Sequence, residues 1–211
     1  MVLRFSNRAL IALLLGLTGC LGEPEPVDDG TYDPEVGNLF EGSIQLSDQR
    51  VLELEASDLP STPAPCQPPQ RVVITNITDG DTFAAVRESD SQPIDVRMIG
   101  VDTPETEKRN DETGEITPAE CYGNEAWAFT ELLRGRYVWL TYDAECQDHF
   151  GRDLAYVWVG SGPGDMWNRQ LAARGFAEPL TIEPNSSNAP VIAEDSAAAQ
   201  AAGLGLWSAC E

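Results

Sequence analysis

The sequence predicts an α+β fold, with a five-stranded, mostly antiparallel sheet compatible with a small closed barrel and three helices outside it. Three observations lead there. β-Branched runs at 71–78, 82–89 and 94–101 are separated by Asp79-Gly80 and by Asp90-Ser91-Gln92-Pro93, which is the pattern of a meander. Two more apolar runs, 136–143 and 153–160, follow a segment of helical period. The 211 residues, 42% hydrophobic and 8% aromatic, suffice for one core with appendages and exclude wholesale disorder.

Residues 1–19 carry Arg4 and Arg8, then an apolar run from Ala9 to Leu17, too short to span a bilayer and of the kind found in secretory signals. The close Leu17-Thr18-Gly19-Cys20 resembles the lipobox of bacterial lipoproteins, which implies lipidation of Cys20 and an envelope location, at the outer membrane if there is one. Residues 20–65 hold 11 acidic residues against Arg50, with prolines at 24, 26, 34, 60, 63 and 65. That composition predicts an extended acidic tether, with Gly42–Ala56 as an alternative strand or hairpin. The remaining four cysteines, 66, 121, 146 and 210, suggest two disulfides in an oxidising compartment. Three pairings are open, and Cys121–Cys146 with Cys66–Cys210 is the expected one.

The folded part is expected to span 66–211. Its loop 102–117 has no apolar period. Pro118–Arg134 places Trp127, Phe129, Leu132 and Leu133 at helical spacing, with Pro at its start and Gly135 behind it. Residues 166–175 and the Ala-rich 189–202 are the second and third helices. The five tryptophans fall on these elements or the tail and are read as packing residues. Gly160–Gly164 lacks a following Gly-Lys-Ser/Thr and is read as a plain loop.

Composition excludes several chemistries. Thirteen basic against 35 acidic residues give a net charge of −22, so the basic signature of most nucleic-acid binders is missing. The single histidine, His149, removes every mechanism that needs two, and no C-x-x-C pair is present for a zinc ribbon or a thiol redox site.

Three clusters carry chemistry: Asp79-Gly80-Asp81-Thr82 between strands one and two, Arg97–Thr106 (RMIGVDTPET) leaving strand three, and Asp148–Tyr156 (DHFGRDLAY) entering strand five. Each alone has a plain reading as a turn, a strand end or an ion-pair partner. Together, with Y-G-x-E-A at 122–126 and G-L-W at 205–207, they resemble the staphylococcal nuclease family in motif and order from about Arg71 to Trp207. That resemblance implies an oligonucleotide-binding-type barrel with Ca²⁺-dependent phosphodiesterase activity on DNA or RNA, leaving 3′-phosphate ends.

The residue chemistry suits that role. A phosphodiester repels a nucleophile unless its charge is screened, and a hard dication on oxygen ligands does this. Asp81 and Asp102 are the carboxylates that could converge on one Ca²⁺, and the resemblance adds the Thr103 carbonyl. Glu105, aimed by Pro104, would orient or deprotonate the attacking water. Arg97, expected on one face with Ile99 and Val101, and Arg152 would donate to the phosphoryl oxygens in the transition state. His149 is read as incidental.

The chain departs from the family pattern in two places, and the second, the loss of base stacking, should weaken substrate binding. Phe150 stands where the family has tyrosine, and Glu178–Asn188 has no aromatic residue to stack on a base, a contact worth about 1–3 kcal/mol per base. Residues 66–211 also carry 24 acidic and 10 basic side chains, so a polyanion meets a repulsive field. The expected protein is a monomeric, membrane-tethered nuclease for single-stranded or flexible DNA or RNA. The alternative is a non-catalytic barrel that binds nucleic acid or protein at the envelope, and a scaffold has no need of Asp81, Arg97, Asp102, Glu105 and Arg152 together.

Overall fold

The computed structural model describes residues 46–110 and 113–210, so the leader, Cys20 and the first part of the tether lie outside the described residues. Chain order is α1 (Asp48–Glu53), β1 (Gln70–Asp79), β2 (Thr82–Arg87), β3 (Pro93–Met98), β4 (Gly100–Asp102), β5 (Lys108–Arg109) and β6 (Ile116–Thr117). There follow α2 (Gly123–Glu131), β7 (Tyr137–Gln147), β8 (Asp153–Trp158), α3 (Trp167–Ala173), β9 (Glu178–Leu180), α4 (Ala189–Ala201) and α5 (Leu206–Ala209).

Five strands close a barrel in the order β1-β2-β3-β8-β7. All neighbours are antiparallel except β3 and β8, whose parallel pairing makes the sheet mixed. Register shifts in β1, between Ile74 and Asn76 and between Ile77 and Asp79, add the local twist that lets so short a sheet curl shut. Alternation sends Val72, Ile74, Phe83, Ala85, Val96, Met98, Val138 and Leu140 into the core, all buried.

The α+β barrel expectation holds, with corrections to its parts. The third strand breaks at Ile99, and Gly100, at φ +85°, turns the chain out of the barrel to pair as β4 with β9. That left-handed φ favours glycine, and a Cβ there would also lie 2.5 Å from Ile192 Cδ1 on α4. Alternation therefore does not run through: Arg97 faces away from the barrel interior, while Ile99 and Val101 are buried beyond the break. The exposed loop contains the β5–β6 hairpin, and the first expected helix begins at Gly123, five residues after Pro118.

Residues 46–65 are not tether. Ser47 caps α1 by accepting from the Arg50 amide, and Leu46, Val51 and Leu59 are buried in the common core. The Trp139 indole donates to the Val51 carbonyl at 3.1 Å, and Arg50 pairs with Asp165 at 2.6 Å. Neither strand nor hairpin forms over the described part of 42–56. The expected disulfide pairing is also overturned. Cys66 bonds Cys146 and Cys121 bonds Cys210, so one bridge fastens the N-terminal segment to β7 and the other fastens the C-terminus beside α2.

A chain that starts at Cys66 forfeits the burial of Leu46, Val51 and Leu59, each worth roughly 1.5–3 kcal/mol. Urea unfolding should place it at least about 3 kcal/mol below a chain that starts at Leu46.

Candidate active site

The β1–β2 turn is locked from below before any charge is considered. The Thr130 hydroxyl on α2 donates to the Gly80 carbonyl and itself accepts from the Trp167 indole at 3.2 Å, which joins α2, α3 and the turn. A Cβ at Gly80 would sit 2.9–3.0 Å from the Thr103 side chain and Ala126, so the turn packs directly against the segment that follows β4.

That packing buries Asp81, and its carboxylate makes three contacts. One oxygen accepts the Thr103 amide at 2.8 Å and pairs with Arg97, and the other accepts the Thr82 hydroxyl at 2.9 Å. The second arm of the Arg97 fork reaches the exposed Asp102 at 2.7 Å. One guanidinium thus spans both carboxylates that the sequence points to, and Asp81, Arg97 and Asp102 form one site. Arg97 is only 15% exposed, and burial depresses its pKa. Asp102 and Glu105 act in the opposite direction and Arg152 in the same one, so all three lie within its electrostatic reach.

Glu105 stands further out, its side chain 53% exposed, and is paired with the chain's single lysine, Lys108. Lys108 also lies 3.4 Å from Asp79, and the hydrogen bond to Glu105 is the main reason its pKa is raised. Asp79 in turn accepts the Thr106 hydroxyl at 2.8 Å. Arg152 enters from the other side, fixed by Asp148 at 2.7 and 2.8 Å, and Asp148 also accepts the backbone amides of Phe150 and Arg152. Those amide and guanidinium donors hold the Asp148 carboxyl below its usual pKa against the opposing effect of burial.

Arg97 and Arg152 line one cleft of about 430 Å³, with Leu154, Leu180, Ile182 and His149 among its other walls. The Phe150 ring is 73% exposed, 3.7 Å from the His149 ring, with the Arg152 guanidinium 5.4 Å from its centroid. Where the sequence lacks stacking aromatics, Leu180 and Ile182 present aliphatic surface instead. Sequence reasoning passed over Asp79, Lys108 and Asp148 as partners. The i,i+4 spacing of Asp148 and Arg152 was the available signal; the Lys108–Asp79 contact, 29 residues apart, had none.

Asp81 and Asp102, with Thr103 between β4 and Glu105, form a hard, all-oxygen donor set that suits a divalent cation of the Ca²⁺ type. Thr103 adds a buried hydroxyl with no hydrogen-bond partner. Among the described residues no cluster of three or more His, Cys, Asp or Glu forms a ready-made metal cage, so carbonyls, water and substrate oxygens would have to complete the shell.

Residues 95–209 match the family described as Staphylococcal nuclease homologue, more than half of the chain. This chain belongs to the staphylococcal nuclease family. Among its relatives is the thermonuclease of Staphylococcus intermedius, 39% identical over 136 residues that cover 64% of this chain and 74% of that one. The thermonuclease of Staphylococcus hyicus is 38% identical over 140 residues, 66% and 76% of the two chains. Endonuclease YncB of Bacillus subtilis is 30% identical over 140 residues, 65% and 61%. Asp81 precedes the family match, yet Arg97 ties it to the matched segment.

Removing Arg97 leaves the Asp81 carboxylate buried without its cation. Arg97→Met should lower unfolding stability by about 3 kcal/mol in chelator, measured by urea titration.

Proposed function

We propose that this protein is a Ca²⁺-dependent nuclease that hydrolyses phosphodiesters of single-stranded or flexible DNA or RNA outside the cytoplasm. Membership of the staphylococcal nuclease family supports the nuclease class. The observation that carries the chemistry is the Arg97 fork laid across Asp81 and Asp102 at the rim of a cleft that Arg152 also lines.

Asp81, Asp102 and Thr103 would hold Ca²⁺, which when bound screens the phosphodiester charge and polarises a phosphoryl oxygen. Glu105 orients a water and accepts its proton as the oxygen attacks phosphorus. Arg97 and Arg152 donate forked hydrogen bonds to the phosphoryl oxygens, whose charge grows in the transition state. The bond to the 5′-oxygen breaks, and that oxygen takes a proton from solvent. Asp148, itself part of the cleft wall, holds the Arg152 guanidinium in place. Leu180 and Ile182 offer a base an apolar wall that is weaker than an aromatic one.

The proposed protein is a monomer lipidated at Cys20, with the acidic stretch up to residue 45 holding the domain off the membrane. Among the described residues no helix is long and apolar enough to cross a bilayer.

Cleavage of single-stranded DNA should require Ca²⁺ and stop in EDTA, and Glu105→Gln should lower kcat about 10²–10⁴-fold with KM little changed. Chelator-insensitive activity, or none in the wild type, would leave the non-catalytic barrel as the better reading. KM should also fall or stay level as NaCl rises from low to moderate concentration at fixed Ca²⁺, because screening relieves the repulsion of an acidic domain. A steep monotonic rise in KM would reject that electrostatic picture.

A further inference from the structure

Glu105 sits in a loop, yet both of its backbone groups are occupied. Its amide donates to the Glu120 carboxylate at 3.0 Å, and its carbonyl accepts the Glu120 amide at 2.9 Å. Gly123 closes the arrangement, because a Cβ there would overlap the Glu105 carbonyl. The backbone of Glu105 is therefore gripped by the turn 120–123, while its neighbour Thr106 is tied to Asp79 at the end of β1 and its side-chain partner Lys108 belongs to the same exposed loop.

The turn itself is in a conformation that needs holding. Tyr122 has φ +69°, left-handed backbone that a residue with a Cβ adopts only where its surroundings impose it. On one side its ring stacks on Phe176, with centroids 5.6 Å apart. On the other side its neighbour Cys121 is bonded to Cys210. Cys210 is no loose tail. The preceding α5 is anchored by buried Leu206, whose amide donates to the Gly175 carbonyl at 2.8 Å, and Gly205 packs so closely on that carbonyl that a Cβ would overlap it.

We propose that Glu120 is the positioning residue for Glu105, and that the Cys121–Cys210 disulfide holds Glu120 in that role by pinning a strained turn to the α3–α5 junction. The inference rests on the nuclease reading for its catalytic consequence, but not for its structural one. Barrel strands and the Asp81–Arg97–Asp102 site do not pass through this turn, so opening the bridge should disturb the base while Asp81 and Asp102, held by Arg97, stay in place.

The test uses the full chain with two readouts, amide exchange at Glu105 and steady-state cleavage of single-stranded DNA with Ca²⁺. In Glu120→Ala and in the paired Cys121→Ser/Cys210→Ser variant, the Glu105 amide should lose protection while the β1, β2 and β7 amides keep theirs. Cleavage kcat should fall about 10- to 100-fold with KM within about twofold, the signature of a misplaced group and not of lost binding. Glu120→Gln, which retains an acceptor oxygen, should recover most of both. The Cys66→Ser/Cys146→Ser pair also lacks one cross-link and should leave Glu105 protection unchanged. Unaltered protection in Glu120→Ala and the 121/210 pair overturns the proposal, as does lost protection with unaltered kcat. Lost protection in a protein whose wild type does not cleave supports the brace and rejects the nuclease reading instead.

Discussion

The pairing of a buried carboxylate with a largely buried guanidinium, Asp81 with Arg97, organises this molecule around its cleft. Neither charge could be withdrawn from water alone; together, with the Thr103 amide and the Thr82 hydroxyl, they satisfy each other's hydrogen-bonding capacity. The pair joins the first turn of the barrel to the end of its third strand and to the segment that carries Thr103 and Glu105. The break at Gly100 follows from the same constraint. Arg97 must face the carboxylates, Ile99 and Val101 must be buried, and a continuous pleat cannot place all three correctly.

Every cation near the cleft has a carboxylate partner: Arg97 has Asp81 and Asp102, Arg152 has Asp148, and Lys108 has Glu105 and Asp79. Three cations against five carboxylates still leave this cluster net negative, so the pairing orients the cationic side chains without making the cleft attractive to an anion. It also means that little free positive charge is left to supply affinity through counterion release. Positioning thus takes precedence over attraction, and the guanidinia are held in fixed orientation at a cost in net charge.

The barrel and the site were legible to the extent that they are local. Strand alternation, Asp-Gly at a turn and Pro or Gly at helix ends are short-range signals, and they located the five barrel strands and three main helices to within a few residues. The ordered motifs pointed to Asp81, Arg97 and Asp102, and the Arg97 fork brings those three side chains together in the fold. What the sequence concealed depends on distant partners. Residues 46–65 have the composition of a tether, but Val51 and Leu59 are buried because Trp139 and the barrel face await them. Cysteine pairing was misjudged for the same reason. Spacing along the chain says nothing of which ends the barrel brings together.

Closure of the barrel through its one parallel pair explains why the two arginines meet. Parallel pairing aligns Val96 with Asp153 and Arg97 with Leu154, so the residue before β8, Arg152, lies at the same edge as the end of β3. An antiparallel closure would run β8 the other way and carry Arg152 to the far end of the sheet. The tight turn Asp148–Arg152, with Gly151 at φ +84°, then only has to aim a guanidinium that the topology has already delivered. Two forked donors at a fixed separation are thereby a consequence of strand order, and loop residues such as Glu105 and Glu120 are left to set the one distance that strand order does not, between the carboxylate and the water it would activate.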